Sequence, residues 1–414
     1  MSRDIYVYAD WVDEEPTLVG TLTAEQVRGK EHFSFAYALD WLQRGDAPYL
    51  QVDPELHLFE GIQHKGDDYN FRVFLDSCPD RWGRVLMQRR EAVLARQDGR
   101  RPKTLYESDY LLGVFDQYRM GALRFKTDRH GAFLDDDERL SAPPITSLRE
   151  LEHAVCQIEQ NVDLDDPEYM KWLFMLISPG SSLGGARPKA SVIDEEGNLW
   201  IAKFPSQQDD HDIGAWEFLA YRLAVEAGIV MADSRIERFN SPHHTFLTKR
   251  FDRERERRMH FSSAMTQLGY YDGEDGASYL ELAEFLTNHG SNTQHDLAEL
   301  WRRIVFNIAV SNVDDHLRNH GFLFEGKGWK LSPAYDINPT AIANGLHLNI
   351  DDKDNSLSYE LAFEVIEFFQ LSQQQAEEIF VKVLASVGQW REIANQIGIS
   401  RAEQDVMKFA FNIE

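Results

Sequence analysis

The chain opens with alternating hydrophobic and polar residues. Residues 5–9 alternate with the two-residue period of a β-strand, residues 19–22 supply a matching hairpin partner, and residues 33–37 predict a third, aromatic strand. Helical spacing replaces this alternation after Pro79, where Trp82, Val85, Leu86 and Arg89 recur at intervals of three and four. A further helix from Asp109 and a closing strand over residues 121–125 complete an α+β pattern.

The middle of the chain alternates between strand and helix patterns. After an Asp- and Pro-rich linker over residues 127–148, a helix is predicted to reach residue 161. A Gly/Ser loop over residues 178–189 then leads into strands at 190–193 and 199–204, followed by a helix around Glu217. Residues 235–239 and 245–251 predict two more strands. We expect the charged stretch 253–258 to be a solvated turn.

The C-terminal half has mainly helical periodicity. Two amphipathic helices over residues 279–286 and 297–310 precede apolar runs at 322–324 and 329–331, which bracket Gly326 and Gly328 and predict a β-hairpin. A polar loop over 341–355 and helices near 357–369, 372–387, 390–396 and 401–411 follow. The fold class predicted is α+β and bilobal, in three parts: 1–145, an α+β subdomain; 146–255, a strand-rich lobe; and 256–414, a helical lobe.

Composition narrows the classes of function. The 414 residues carry 43 Lys and Arg against 69 Asp and Glu, a formal net charge of −26. Such a surface repels phosphate backbones, so unaided nucleic-acid binding is disfavoured, whereas a basic protein partner would be attracted. Two distant cysteines, Cys78 and Cys156, give little reason to expect a disulfide or a zinc site. No apolar run has the length of a membrane span and the first residues lack a signal-peptide pattern, so we expect a soluble cytoplasmic protein.

Three polar residues flank the predicted hairpin. Asp314 and Asn319 stand five residues apart before it, and Asp336 follows it. Because a hairpin returns the chain to its starting end, we expect these side chains to converge into an oxygen-rich site for a hard cation such as Mg²⁺. In protein kinases a catalytic-loop Asp accepts the substrate hydroxyl proton, an Asn five residues on holds Mg²⁺, and a later Asp holds Mg²⁺ against the phosphates. The alternative interpretation is a surface loop rich in turn-forming Asp and Asn.

Upstream residues extend the kinase interpretation. Lys203 lies within a predicted apolar strand, where lysine is disfavoured, and Glu217 follows on a helix. A strand Lys paired with a helix Glu positions ATP phosphates in kinases. Gly184 and Gly185 precede the strand pair and would let backbone N–H groups approach phosphates. An edge-strand lysine with an unrelated glutamate, and an ordinary glycine turn, are the alternatives.

These motifs together resemble the HipA family of bacterial serine/threonine kinases, the toxins of HipA–HipB toxin–antitoxin pairs. The segments that carry the resemblance are Phe-Ser-Phe (33–35), Ser-Leu-Gly-Gly-Ala-Arg-Pro-Lys (182–189), Trp-Ile-Ala-Lys-Phe-Pro (200–205), Lys-Arg-Phe-Asp-Arg (249–253), Asn-Val-Asp-Asp-His-Leu-Arg-Asn-His (312–320) and Leu-Ser-Pro-Ala-Tyr-Asp-Ile (331–337). Two departures from common kinases stand out: His-Arg-Asp is absent, and Tyr335-Asp336-Ile337 stands in place of Asp-Phe-Gly.

The resemblance implies a role for each matching position. Asp314 is expected to be the catalytic Asp with His316 as its loop neighbour, and Asn319 and Asp336 are expected to be Mg²⁺ ligands. Lys203, Glu217 and the glycines would serve ATP phosphates, and the backbone from Lys249 to Phe251 would be the adenine hinge. Ser182, or the adjacent Ser181, aligns with a loop serine whose autophosphorylation silences family members, because phosphate charge would repel the ATP phosphates.

The family also implies partners and a substrate class. ATP and Mg²⁺ are the expected cofactors, and the substrate would be a protein, as aminoacyl-tRNA synthetases are for known members. A small helix-turn-helix HipB-like antitoxin is the expected partner, with DNA bound only through it. Three other functions remain open at this point: a small-molecule kinase with the same Asp, Asn and Asp; a catalytically idle co-repressor; and a metal-dependent hydrolase built on Asp314, Asp315 and His316.

Overall fold

The computed structural model describes residues 2–66, 69–160, 167–177, 187–255 and 257–413. The chain forms two compact units: unit 1 comprises residues 1–207 and 252–262, and unit 2 comprises residues 208–251 and 263–414. The strands are β1 (Ser2–Ala9), β2 (Thr17–Val27), β3 (Lys30–Tyr37), β4 (Ile62–His64), β5 (Leu123–Lys126), β6 (Lys189–Ile193), β7 (Leu199–Lys203), β8 (Ser234–Glu237), β9 (Thr245–Lys249), β10 (Arg253–Glu254), β11 (Arg257–Arg258), β12 (Phe261–Ser263), β13 (Gly321–Glu325) and β14 (Gly328–Leu331).

Helices occur in both units, and most match the predicted periodicity. The bounds of the α-helices are α1 (Leu39–Leu42), α2 (Arg72–Asp76), α3 (Arg81–Gln97), α4 (Glu107–Leu112), α5 (Leu148–Glu159), α6 (Pro167–Ile177), α7 (Ile213–Ala227), α8 (Ala264–Gln267), α9 (Tyr279–His289), α10 (Thr293–Val310), α11 (Tyr359–Glu364), α12 (Gln373–Val387), α13 (Trp390–Ile397) and α14 (Arg401–Met407). No helix among the described residues is long and apolar enough to cross a membrane. The predicted α+β class is therefore observed.

Unit 1 contains an antiparallel sheet in the order β4-β3-β2-β1-β5. Its register aligns Ile5 with Leu22 and Leu22 with Phe35, and all three side chains are fully buried. Alternation places every second residue of β1 in the core, as the sequence predicts. Gly20 lies where a Cβ atom would stand 2.3 Å from the carbonyl oxygen of Ala36, so β2 approaches β3 closely only because this residue is glycine.

A buried arginine fixes the loops beside this sheet. The guanidinium of Arg119 is fully buried and donates hydrogen bonds of 2.7–3.0 Å to backbone carbonyl oxygens. Its charge is thus dispersed over peptide dipoles, which accept from its two Nη atoms in place of water. These four acceptors belong to Ser77, Leu111, Val114 and Leu134.

The charged stretch 253–258 differs from the expected solvated turn. Its strands β10 and β11 pair antiparallel within unit 1, and the side chains of Arg253 and Arg258 are only 8% and 7% exposed. Arg253 lies 2.6 Å from the fully buried carboxylate of Asp252, and Arg258 lies 3.1 Å from Asp116. The expectation was wrong for these two arginines, which neutralise buried carboxylates, whereas Glu254, Arg255 and Arg257 are exposed as expected.

The predicted strand pair at 190–193 and 199–204 is an antiparallel hairpin of β6 and β7. Lys189 and Lys203 face each other in its register. The side chain of Lys189 is buried and lies 2.8 Å from Asp80, whereas Lys203 is half-buried. Two lysines in one hairpin therefore have different environments.

Unit 2 is organised around α10, whose apolar side is fully buried in one continuous core. The core also includes residues of α7, α9, α12 and the β13–β14 hairpin. The predicted hairpin is observed, and its register places Phe324 opposite Trp329. Because spatial units and functional domains need not coincide, the predicted three-part division of the chain stays a prediction.

Candidate active site

The loop that carries Asp314 begins where α10 ends. Ser311 adopts a left-handed conformation with φ of +50°, which turns the chain out of the helix. The next residue, Asn312, is buried; its N–H donates to the carbonyl of Asn307 at 2.9 Å and its Nδ2 donates to Asn307 Oδ1 at 3.1 Å. The helix end and the loop are thus joined by both backbone and side-chain bonds, which fixes the starting point of the loop.

Asp314, His316 and Asn319 lie in one compact turn. The His316 N–H donates to the Asp314 carbonyl at 3.0 Å, and the Asn319 N–H donates to the His316 carbonyl at 2.8 Å. Asp314 is exposed, His316 is half-buried and Asn319 is buried. The turn therefore presents the Asp314 carboxylate to solvent, where a substrate hydroxyl can reach it.

The nitrogen and the oxygen of the Asn319 side-chain amide differ in their hydrogen bonding. Its Nδ2 donates to the backbone carbonyl of Asp314 at 2.9 Å. Its Oδ1 is buried, and among the residues that the structure describes it finds no hydrogen-bond partner. An oriented amide oxygen without a donor is suited to a hard cation, because Mg²⁺ takes oxygen ligands. The donor set of this loop therefore fits the predicted metal.

Asp336 lies on the return segment after β14. Its φ is +59°, a left-handed conformation that is uncommon outside glycine and tolerated best by Asp and Asn. Its Oδ1 accepts a hydrogen bond of 3.2 Å from Asn338 Nδ2, and the carboxylate is half-buried. Such strained conformations persist only where surrounding contacts hold them, and they are concentrated at functional sites.

Two hydrogen bonds join the return segment to the Asp314 loop. The hydroxyl of Tyr335 donates to the carbonyl of Arg318 at 2.7 Å, and the N–H of Asn338 donates to Asn312 Oδ1 at 3.2 Å. Tyr335 and Arg318 are the immediate neighbours of Asp336 and Asn319. The hairpin therefore brings the segment of Asp336 back to the loop of Asp314 and Asn319, as expected from the sequence.

A polar stripe on α10 supports this segment. Asp296, Glu299, Arg303 and Asn307 recur at helical spacing, and each is at most 3% exposed. Asp296 Oδ2 accepts from the Leu331 N–H at 2.9 Å, Glu299 Oε1 accepts from the Val230 N–H at 2.9 Å, and Arg303 Nη2 donates to the Ser332 carbonyl at 2.8 Å. Sequence reasoning missed these residues because it followed only the apolar face of the helix. Charged residues at the same helical period were the available signal.

A buried carboxylate of the site, that of Asp315, was assigned by the sequence interpretation only to the hydrolase alternative. Its Oδ2 lies 2.9 Å from His320 Nε2, 2.6 Å from Asn307 Nδ2, and within hydrogen-bond distance of the Tyr279 hydroxyl. Burial alone would raise the pKa of the Asp315 carboxyl, but the adjacent His320 charge and the hydrogen bonds from His320 and Tyr279 hold that pKa below its ordinary value. This carboxylate is thus kept ionised and anchors the loop from within.

The predicted nucleotide residues are distributed between the two units. Lys203 lies in β7 of unit 1, and Glu217 lies in α7 of unit 2, where it is 4% exposed. In the predicted hinge, the Lys249 N–H donates to the Asp233 carbonyl at 2.7 Å, and the ring of Phe251 stacks on Tyr335 with centroids 5.5 Å apart. The roles of these four residues in binding ATP stay predictions.

Residues 178–186 of the glycine loop lie outside the described residues. This applies to Gly184, Gly185 and both candidate phosphorylation serines, Ser181 and Ser182. Among the side chains that the structure does describe, no group of three His, Cys, Asp or Glu residues is arranged to hold a metal ion. The predicted Mg²⁺ ligands are a single carboxylate and an amide, an arrangement in which phosphate oxygens and water complete the coordination.

The sequence is similar to those of two bacterial proteins that are named as kinases. The chain is 28% identical to a Haemophilus influenzae protein named "Putative kinase" over 191 residues, 40% of this chain and 55% of that protein. It is 26% identical to "Putative kinase Y4mE" of Sinorhizobium fredii over 182 residues, 38% of this chain and 41% of that protein. The chain thus spans about half or less of the length of these relatives.

A solved structure matches over nearly the whole chain. The HipA chain from the HipA, HipB and operator DNA complex of Shewanella oneidensis superposes with a TM-score of 0.66 at 18% identity, covering 98% of this chain and 94% of that one. The likeness shows that the fold is HipA-like. The family model for the HipA-like C-terminal domain matches residues 181–391, just over half of the chain and the whole of the site described above. The chain therefore belongs to the family of proteins with a HipA-like C-terminal domain.

Proposed function

We propose that the protein is an ATP- and Mg²⁺-dependent protein serine/threonine kinase. The observation that carries the proposal is the amide of Asn319, whose Nδ2 is bound to the Asp314 carbonyl while its buried Oδ1 is left without a donor among the described residues. This arrangement links the metal-binding oxygen to the residue that carries the exposed carboxylate. The kinase names of the relatives agree with the proposal.

Phosphoryl transfer in this site would depend mainly on positioning. The exposed Asp314 carboxylate accepts a hydrogen bond from the attacking hydroxyl and orients it toward the phosphorus. Asn319 and Asp336 would hold Mg²⁺, which when bound neutralises charge on the phosphate oxygens. Lys203 and Glu217, by their family positions, would serve the nucleotide phosphates. The bonded frame of Asn312, Asn338 and Tyr335 maintains the spacing between loop and return segment.

Phosphate incorporation tests the proposal directly. The purified protein is incubated with ATP and Mg²⁺, and its intact mass and peptide masses are compared with those of Asp314→Asn. Asp405→Asn, on α14, is the matched control because Asp405 is also exposed. We expect one phosphate on Ser182 or Ser181 in the wild type and control, and none in Asp314→Asn.

Two further assays separate the other functions. Turnover of ATP on a small alcohol, without protein labelling, would favour a small-molecule kinase. Calorimetry that detects no Mg²⁺-dependent ATP binding would overturn the kinase proposal and favour a binding module. Equal labelling of Asp314→Asn and wild type would refute the role of Asp314.

We also propose a small basic antitoxin of the HipB type as partner, with DNA bound only through it. The HipA-like fold of a chain that was solved with HipB and operator DNA supports this proposal, and the net charge of −26 disfavours direct DNA binding. Electrophoretic mobility of operator-sized DNA should be unchanged by this protein alone and should change only with the partner added. A shift by the protein alone at physiological salt would contradict the proposal.

A further inference from the structure

Unit 1 contains a cavity that the proposed kinase activity does not use. Its volume is about 360 Å³, at the lower end of the roughly 300–1,000 Å³ range of small-molecule sites. One face of α3 forms its floor, with Met87, Arg90 and Leu94 at helical spacing. Leu105, Leu112 and Phe174 contribute apolar surface from the following loop, α4 and α6.

Most charged groups around the cavity already have partners. Glu91 Oε1 lies 2.5 Å from Arg100 Nη1. Asp137 Oδ2 lies 2.5 Å from Arg139 Nη2, and the Arg139 guanidinium also stacks on the ring of Phe174, 4.8 Å from its centroid. These pairs neutralise each other, so they contribute little net charge toward a ligand.

Arg90 differs from these groups. It is half-buried on the face of α3 that lines the cavity, and among the residues that the structure describes its guanidinium makes no hydrogen bond or ion pair. Burial lowers the pKa of Arg90, opposed by the charges of Asp135 and Asp137, and a guanidinium stays protonated at neutral pH under such a shift. A partly desolvated cation without a bonded anion carries an energetic cost that a bound anion would relieve.

We propose that this cavity binds a small carboxylate with an apolar body, held by Arg90. The planar guanidinium matches a carboxylate through two parallel hydrogen bonds. Met87, Leu94, Leu105, Leu112 and Phe174 provide the surface for an aliphatic or aromatic body of amino-acid size. Phosphate and other compact anions would leave this apolar surface uncovered, so they fit less well.

Asp135 bears on whether the ligand is a simple acid or an amino acid. It lines the same cavity, and its Oδ1 accepts the Asp137 N–H at 2.9 Å. Backbone bonds hold it in place: its N–H donates to the Val114 carbonyl at 2.8 Å, and its carbonyl accepts the Asp116 N–H at 2.9 Å. A fixed carboxylate in the same cavity as an arginine can receive an ammonium group, so an α-amino acid is one source of the carboxylate.

Calorimetric titration of the full chain with three probes tests the proposal. The probes are 4-methylpentanoate, L-leucine and inorganic phosphate, of which the first two share a carboxylate and an isobutyl group. We expect at least one of these two to bind and phosphate to bind more weakly. Tighter binding of L-leucine identifies an amino-acid site, and tighter binding of 4-methylpentanoate identifies a simple-acid site. No binding of either carboxylate at millimolar concentration, or equal binding of phosphate, would overturn the proposal.

Variants locate the site. Arg90→Met should weaken binding about 10- to 100-fold, the loss expected for charge-assisted hydrogen bonds. Arg96→Met, an exposed arginine on the same helix outside the cavity lining, should bind like the wild type. Leu94→Trp should fill the cavity while Arg90 remains, and it should also abolish binding of the probes. This variant tests the location of the site if Arg90→Met does not fold. Undiminished binding in Leu94→Trp or Arg90→Met would show that the probes bind elsewhere.

Discussion

The imidazole Nε2 of His320 lies 2.9 Å from Oδ2 of Asp315, and both side chains are buried. The same carboxylate binds Tyr279 from α9 and Asn307 from α10. Asp315 follows the exposed Asp314 directly, and His320 follows Asn319. The two residues predicted to act on substrate and metal are therefore each adjacent to a member of one buried network. We infer that this network sets their positions.

The same substitution at Asp314 and Asp315 should lower transfer in both variants but lower stability only at Asp315. Asp315→Asn removes the charge opposite His320 inside the protein, and we expect a loss of about 1–3 kcal/mol in the free energy of unfolding. Transfer should fall by about 10- to 100-fold because the loop shifts. Asp314→Asn should abolish transfer and leave the urea midpoint unchanged, since its side chain is exposed. Equal stability of the two variants would show that the network does not anchor the loop.

Acidification should weaken the same network. The pKa of Asp315 is below its ordinary value in the folded protein, so between the two pKa values the unfolded chain binds more protons. The stabilisation is complete above the unfolded pKa of about 3.9 and is lost as pH falls through the lower folded value. Urea unfolding of the wild type and Asp315→Asn from about pH 6 to pH 3 measures this. The stability difference should narrow as the pH falls below about 4; a constant difference would contradict the assignment.

Lys189 and Lys203 face each other across one hairpin, but their substitution should have different effects on stability and on ATP binding. Lys189 is buried 2.8 Å from Asp80, so Lys189→Met removes a cation from beside a buried carboxylate, and we expect a loss of about 3–5 kcal/mol in stability. Lys203→Met should retain the stability of the wild type and lose ATP binding. Thermal unfolding and ATP calorimetry on both variants measure the two effects. Normal ATP affinity in a folded Lys203→Met would remove Lys203 from the nucleotide site.

Much of the fold follows from local patterns. Strands β1, β2 and β3 show clean alternation because one face of their sheet is buried, and the β13–β14 hairpin has apolar runs on both sides of a glycine turn. Helix α6 was not predicted, because a short continuous apolar run does not distinguish a buried helix from a strand. The burial of Arg258 was also missed, because its carboxylate partner Asp116 is distant in sequence.

The part of the candidate site that depends on the spacing of residues along the chain could be predicted from the sequence. Asp314, Asn319 and Asp336 follow a pattern of order and distance along the chain, and the structure joins their segments as expected. The supporting residues were not predictable in the same way. Tyr279 and Asn307 approach Asp315 from two different helices, and only the packing of those helices brings the three side chains together.

Removal of the Asn319 amide oxygen should weaken Mg²⁺ binding more than it lowers the stability of the fold. Asn319→Ala deletes the buried Oδ1 and the 2.9 Å bond from Nδ2 to the Asp314 carbonyl, a loss of about 0.5–1.5 kcal/mol in stability. If Oδ1 binds Mg²⁺, the Mg²⁺ concentration for half-maximal transfer should rise about 10-fold or more, the equivalent of about 1.4 kcal/mol in binding. Asn349→Ala is the control, because Asn349 also donates Nδ2 to a backbone carbonyl, that of Gly276 at 3.3 Å. The control should leave the Mg²⁺ dependence unchanged. A Mg²⁺ titration that coincides for wild type and Asn319→Ala, at reduced maximal rate, would assign Asn319 to holding the loop instead of the metal.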